Sequence, residues 1–254
     1  MALILTAQTY AMLGGAAVLA GFIETLAGGG GLVSVPALLA SGLPPVTALA
    51  TNKLQSVFGV GTACYRFAKR GYIDFRAYWP TALLVFLAAG IGTIALQIIS
   101  ADALKKVIPL LVIGAICYMV FSPRMTDEDS HARLSKRGYA PVGASIGFYD
   151  GFFGPGSGSF FTTSLVGLRG LGLLRAAAHT KFFNLCSNAA SIILFISTGK
   201  ALWLLGLLMA ACNIFGSWIG AHVAMRHGAA VIRPLLIVVS LALTAKLIWD
   251  NFLA

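Results

Sequence analysis

Charged side chains are scarce in this chain. They make up 10% of its 254 residues, against about 25% in an ordinary soluble protein, while 58% are hydrophobic and the mean hydropathy is +0.88. That scarcity excludes a typical soluble domain. Catalytic signatures are missing as well: there is no GxSxG, no HExxH, no Walker sequence and no histidine pair at metal-ligand spacing. Neither an enzyme nor a metal site is expected. The four cysteines, Cys64, Cys117, Cys186 and Cys212, stand singly in apolar runs without CxxC spacing. This excludes a disulfide framework and leaves small packing residues. No positively charged region opens the chain, so a cleavable signal peptide is not expected. The net charge of +10 raises nucleic acid as a partner. However, bases such as Arg66, Lys69, Arg70 and Arg76 fall in connecting loops, where anchoring to an anionic cytoplasmic leaflet explains them better.

What remains is a series of apolar segments of roughly membrane-spanning length, about 20 residues each. They fall near 10–40, 46–68, 77–99, 104–121, 139–167, 175–197, 201–224 and 230–249. The reading is an all-α polytopic membrane protein, multi-pass in a bacterial inner membrane. One long polar connection, 122–137 ("SPRMTDEDSHARLSKR"), lies between an N-terminal repeat, 1–121, and a C-terminal repeat, 138–254. Its Asp127, Glu128 and Asp129 read as a solvated linker.

The two halves match each other collinearly. Gly21-Phe22-x-Glu24 aligns with Gly147-Phe148-x-Asp150 at an offset of 126, and at the same offset Gly28 meets Gly154 and Gly30 meets Gly156. After a two-residue slip, Ala50-x-x-Lys53 aligns with Ala178-x-x-Lys181, Gly71 with Gly199 and Gly92 with Gly220. Pro109-Leu110-Leu111 resembles Pro234-Leu235-Leu236. Duplicated halves that meet at a central site are a common transporter plan. If segments 10–40 and 139–167 cross fully, the halves are parallel 4+4 repeats and the loop Lys and Arg divide nine against six. If both are re-entrant, each half keeps three spans, the repeats are inverted, and the division becomes twelve against three. The positive-inside bias favours the inverted arrangement, with both termini outside.

A carboxylate followed by glycines interrupts both of these segments. Gly28, Gly29, Gly30 and Gly31 in one half and Gly154-Pro155-Gly156-Ser157-Gly158 in the other are poor helix formers, each followed by about ten apolar residues. Broken backbone in hydrocarbon is tolerated only against protein or a polar cavity. A half-helix starting there aims N–H groups and a positive dipole end at the membrane interior, which suits an anion. The competing reading is a close helix crossing on small residues.

Intramembrane charges follow the same duplication. Glu24, Lys53, Asp150 and Lys181 give one acid and one lysine per half, at a cost of roughly 2.5–3.5 kcal/mol each on insertion scales. Pairing within each half would neutralise them. They serve either as structural ion pairs or as lysines attracting an anion with Glu24 or Asp150 exchanging a proton. Lys246, near the end of its segment, is expected to snorkel. Around the lysines stand Thr51, Asn52 and Gln55 in one half and His179, Thr180, Asn184 and Asn188 in the other. The spacing of Lys181, Asn184 and Asn188 puts them on one helix face, suited to interhelical hydrogen bonds or to an oxyanion. His179 is ionisable near neutrality but is equally a hydrogen-bonded packing residue.

At these residues the chain resembles the sulfite exporter TauE/SafE family, also called the 4-toluene sulfonate uptake permease family. "GFIETLAGGGGLVSVPALLASGLPPVTALATNKLQ" is similar to its first-half signature, and "GFYDGFFGPGSGSFF" with "AHTKFFNLCSNAAS" to its second. The likeness covers almost the whole chain; Pro155 and Ser157 depart from the plain glycine run. It implies a secondary transporter without cofactor, carrying sulfite, a sulfonate or a similar organic anion across the bilayer. It also carries over, as binding positions, the first glycine break with Thr51-Asn52-Lys53, and Gly154 to Gly158 with His179, Thr180, Lys181, Asn184 and Asn188. An anion channel and a membrane scaffold are the alternatives, and the sequence leaves monomer and homodimer open.

Overall fold

A computed structural model describes residues 6–100, 103–104, 107–108, 110–111, 113–114 and 127–228. The expected span 230–249 with Lys246, most of 104–121 with Cys117, and residues 122–126 of the linker lie outside the described residues. Within them the chain is all-helical: α1 (Ala7–Ala27), α2 (Gly31–Ala40), α3 (Pro45–Lys69), α4 (Phe75–Ile98), α5 (Ala140–Phe152), α6 (Ser157–Arg169), α7 (Leu173–Thr198) and α8 (Trp203–His227). Helices α1, α4, α7 and α8 are long and apolar enough to cross a membrane. Helix α3 is as long, at 25 residues, but carries Asn52, Lys53, Gln55, Arg66 and Lys69.

Local chemistry explains the boundaries. Thr6 caps α1 by accepting the Thr9 N–H, Pro45 opens α3 where a missing N–H does no harm, and Asp74 caps α4 through the Ala77 N–H at 3.0 Å. The Ala77 N–H also holds the Asp74 carboxyl below the usual carboxylate range, helped by Lys136 at 3.3 Å.

Both glycine breaks reverse the chain. Gly28 adopts the left-handed conformation, with φ of +74°, and α2 packs back along α1. Gly30 lies so close to the Ala20 carbonyl that a β-carbon would sit 2.4 Å from it, and Leu38 shares a cluster with Leu13 and Ala17. In the second half α6 returns along α5: Tyr149 donates to the Pro155 carbonyl at 2.8 Å, and the Tyr139 and Ser164 hydroxyls lie 2.7 Å apart. The open end of the α1–α2 hairpin packs with Ala48 near the start of α3 and Leu205 near the start of α8. The open end of the α5–α6 hairpin packs with Tyr78 of α4 and with Leu171 and Ala176 beside the start of α7.

The tips meet. A β-carbon on Gly28 would fall 2.3 Å from the Gly158 carbonyl carbon, and one on Gly158 would fall 2.5 Å from the Gly28 α-carbon. Ser159 donates to the Ala27 carbonyl at 2.7 Å. Backbone break and close glycine contact are therefore the same feature.

The halves interlace. Helix α1 crosses α8 where Gly216 abuts the Val18 carbonyl and Gly220 the Phe22 carbonyl; α5 crosses α4 where Gly151 abuts the Ala89 carbonyl and Gly92 the Phe148 carbonyl. Gly92 and Gly220 are aligned positions, as are Phe22 and Phe148, so one crossing occurs twice. Each hairpin packs against a long helix of the other half, through small residues that let backbones approach.

Candidate functional site

The two tips and the polar stretches of α3 and α7 converge on a polar cavity of about 20 Å³, the space of one or two water molecules. Glu24, Gly31, Asn52, Lys53, Ser56, Val60, Asp150, Gly154, Ser157, Asn184 and Asn188 line it. Many of these are counterparts in the duplication: Glu24 and Asp150, Gly31 and Ser157, Ser56 and Asn184, Val60 and Asn188.

The four intramembrane charges pair, but not within the halves. Lys53 Nζ lies 2.6 Å from Asp150 Oδ1, and Lys181 Nζ lies 3.1 Å from Glu24 Oε1. Each lysine takes the carboxylate of the opposite half. The interlacing is the physical reason: the hairpin carrying each carboxylate is packed among the other half's helices. Neutrality, which suggested pairing within each half, is met equally well by the exchange.

The pairs differ in their further partners. Asp150 Oδ2 also accepts the Ser187 hydroxyl, and Lys53 and Asp150 side chains are both 3% exposed. Glu24 Oε2 accepts the Gly30 N–H at 2.9 Å, and Oε1 accepts Asn184 Nδ2 at 3.0 Å as well as Lys181. Lys181 donates in addition to the Glu24 carbonyl. The Gly30 N–H beside the start of α2, expected to face an anion, thus meets the protein's own carboxylate.

The remaining sequence candidates divide into two groups. Asn52 reaches the cavity and accepts the Ser34 hydroxyl at 2.5 Å and Gln55 Nε2 at 3.0 Å. Asn184, Asn188, Ser157 and Gly154 line the cavity, whereas Gly28, Gly158 and Gly156 shape the turns beside it. Gly29 accepts the Leu32 N–H in the first turn. Thr51, Gln55, His179 and Thr180 are engaged elsewhere. Thr51 accepts the Leu202 N–H, Gln55 also meets Asn213, and the Thr180 and Thr162 hydroxyls pair at 3.0 Å. His179 accepts the Asp74 N–H at Nε2, so its Nδ1 carries the proton given to the Arg175 carbonyl, and its ring packs edge-on to Tyr78.

Ser187, Ser56 and Val60 are the site residues that sequence reasoning missed. The duplication contained a signal for Ser56, which aligns with Asn184. Nothing distinguished Ser187 beyond its place one turn after Asn184.

The sulfite exporter TauE/SafE family model matches residues 13–247 of the chain. The chain belongs to that family. Among its TauE/SafE relatives, the "Probable membrane transporter protein ORF9" of Sinorhizobium sp is 43% identical over 92% of this chain and 90% of its own length. The "Probable membrane transporter protein" of Haemophilus influenzae is 42% identical over 91% of each, and "YfcA" of Escherichia coli K12 is 38% identical over 92% of this chain and 88% of the relative. No solved structure matches. This TauE/SafE member is a helical, multi-pass membrane protein whose relatives are named as transporters of the membrane, not as enzymes.

Proposed function

We propose that the chain is a secondary transporter in the bacterial cytoplasmic membrane that moves a small anion, of the sulfite or sulfonate kind, through the cavity between the hairpin tips. The observation that carries this reading is the cavity lining: a buried lysine, three amides, two serines and both intramembrane carboxylates around one small space. Buried ionisable groups facing a cavity in a membrane protein mark substrate or proton pathways. The hairpins act as re-entrant segments of inverted repeats, supported by the loop-charge division and by their open ends packing apart, one beside the starts of α3 and α8 and the other beside the starts of α4 and α7. Rocking of one interlaced unit against the other gives alternating access. The family description supports export, and one of the two carboxylates, Glu24 or Asp150, supplies the group for proton coupling.

Of the positions the sequence singled out, Gly31, Asn52, Lys53, Gly154, Ser157, Asn184 and Asn188 line the cavity and, with Gly30 and Lys181 that hold Glu24, form the binding region. Gly28, Gly29, Gly156 and Gly158 shape the turns beside it, and Thr51, Gln55, His179 and Thr180 support the surrounding packing. A space of about 20 Å³ favours a carrier over an open anion pore, and planar-bilayer recording distinguishes the two. Calorimetric binding of sulfite, sulfonates and carboxylates to the purified protein, with flux into proteoliposomes, tests the reading. Lys53→Ala with Lys181→Ala is expected to abolish flux. If no small anion binds, or the double variant transports normally, the reading falls.

A further inference from the structure

Glu24 and Asp150 each hold a lysine, but only Glu24 occupies a cradle that an oxyanion could take over. Its two oxygens accept from the Gly30 N–H, Lys181 Nζ and Asn184 Nδ2, three donors from two segments, the first glycine break and α7, converging on one small anionic group. Asp150 is closed between Lys53 and Ser187. Next to the Glu24 cradle, Asn188 and Ser157, 5% and 4% exposed, line the cavity with side chains that have no hydrogen-bond partner among the described residues. Asn184 Oδ1 is buried without a donor, an arrangement that calls for an explanation. An ionised Glu24 has no hydrogen to give it; a protonated Glu24 has one.

We infer that the transported anion takes the place of the Glu24 carboxylate, which withdraws by taking up one proton for each anion bound. This rests on the anion-transporter reading above. The exchange balances: one negative charge enters on the anion, one proton from water forms an O–H on Glu24, and the net charge of the buried site is unchanged. Lys181 Nζ, Asn184 Nδ2 and the Gly30 N–H become donors to a compact oxyanion such as a sulfonate. Asn188 and Ser157 complete its shell. Protonated Glu24 donates to Asn184 Oδ1 after a turn of the amide, while Asp150 stays ionised on Lys53. The groups facing Glu24 are Lys181 from α7 and, across the cavity, Lys53 from α3 and Asp150 from α5; Cys64 of α3 is within electrostatic reach of Lys181. Helix α2 carries no titratable residue, α6 only Arg169 at its far end, and none of Cys212, His222, Arg226 and His227 of α8 bonds Glu24.

The test is calorimetric binding of methanesulfonate, which keeps one charge throughout, to the full-length protein in nanodiscs between pH 5.5 and 8. Wild-type affinity is expected to fall by about tenfold per pH unit where the free carboxylate is ionised, with one proton taken up per anion when buffers of different ionisation enthalpy are compared. Glu24→Gln is expected to bind more tightly than wild type at pH 8 with no pH slope, and Asp150→Asn to keep the slope. A wild-type slope in Glu24→Gln, a flat one in Asp150→Asn alone, or wild-type binding without proton uptake overturns the inference. The proton count on wild type decides the matter if Glu24→Gln does not fold. Failure of methanesulfonate to bind either protein also overturns it, and reaches the transporter reading only if sulfite and carboxylates fail too.

Discussion

The two ion pairs are the same construction made twice, and their differences are informative. Lys53–Asp150 is short, at 2.6 Å, and closed to solvent on both sides. Lys181–Glu24 is longer, at 3.1 Å, with the carboxylate side chain 14% exposed and shared with the Gly30 N–H and Asn184. A carboxylate held by one lysine and one hydroxyl depends on both. One with several donors keeps partners when a single one leaves. The first pair therefore behaves as a lock between halves, the second as a replaceable contact.

The largest expected effect separates them directly. Removing one partner of a buried pair leaves an uncompensated charge, at about 3–5 kcal/mol. Lys53→Ala and Asp150→Ala should each lose stability on this scale in detergent unfolding, and the double variant should recover much of it. Lys181→Ala should cost less, about 1–3 kcal/mol, because Glu24 retains two donors. Equal losses at both lysines would erase the distinction.

A second contrast lies in the glycine turns. Gly28 and Gly154 both have positive φ, but a methyl at Gly28 would overlap the Gly158 backbone at 2.3 Å, whereas one at Gly154 would meet Lys53 Nζ at 3.1 Å and the Asp150 carbonyl and carboxylate oxygens at 3.3 Å. The first is a clash of backbone with backbone; the second is a tight contact that a shift of a few tenths of an ångström relieves. Gly28→Ala combines left-handed strain of about 1–2 kcal/mol with overpacking of about 1–3 kcal/mol. Gly154→Ala should cost little more than the strain. Thermal unfolding of both checks this, and a milder effect at Gly28 would mean that the tips separate easily.

These contrasts also show what could be read in advance. The breaks and the four charges were legible because glycine runs and ions inside apolar segments are costly enough to stand out in any composition. Which lysine met which carboxylate was not, since pairing within or between halves is equally neutral and only the interlacing of α1 with α8 and α5 with α4 decides it. Helix geometry explains the candidates engaged elsewhere. Thr51, Gln55, His179 and Thr180 adjoin the lysines in sequence, but successive helical residues turn by about 100°, so of the neighbours at one or two positions only Asn52 reaches the cavity. Ser56, Val60, Asn184 and Asn188, three and seven positions after the lysines, share their faces. Ser187 was silent because it is one of several hydroxyls along α7, and nothing in the sequence marks which of them serves a carboxylate.

Ser187 gives the third prediction. Its hydroxyl bonds Asp150, and a hydrogen bond to a charged group contributes about 1.5–3 kcal/mol. Ser187→Ala should lower stability within that range and leave the pH dependence of transport unchanged, as befits a residue of the lock. Measured by unfolding and by flux across a pH series, a shifted pH profile would instead place Asp150 in the proton cycle.

The smallest effect tests whether the cavity is symmetric in use as well as in ancestry. Asn188 lines it from α7, and its counterpart on α3 is Val60. An oxyanion centred between the halves would feel an amide from either helix, and one hydrogen bond amounts to about 0.5–1.5 kcal/mol, or roughly two- to twelvefold in affinity. Asn188→Val should weaken anion binding by that factor. If the anion sits between the halves, Val60→Asn added to Asn188→Val should restore it. If it sits in the Glu24 cradle, the amide on α3 is on the wrong wall and affinity stays low. The second outcome is expected, because the donors released by Glu24 belong to α2 and α7, and a duplicated architecture does not require both copies of a site to bind.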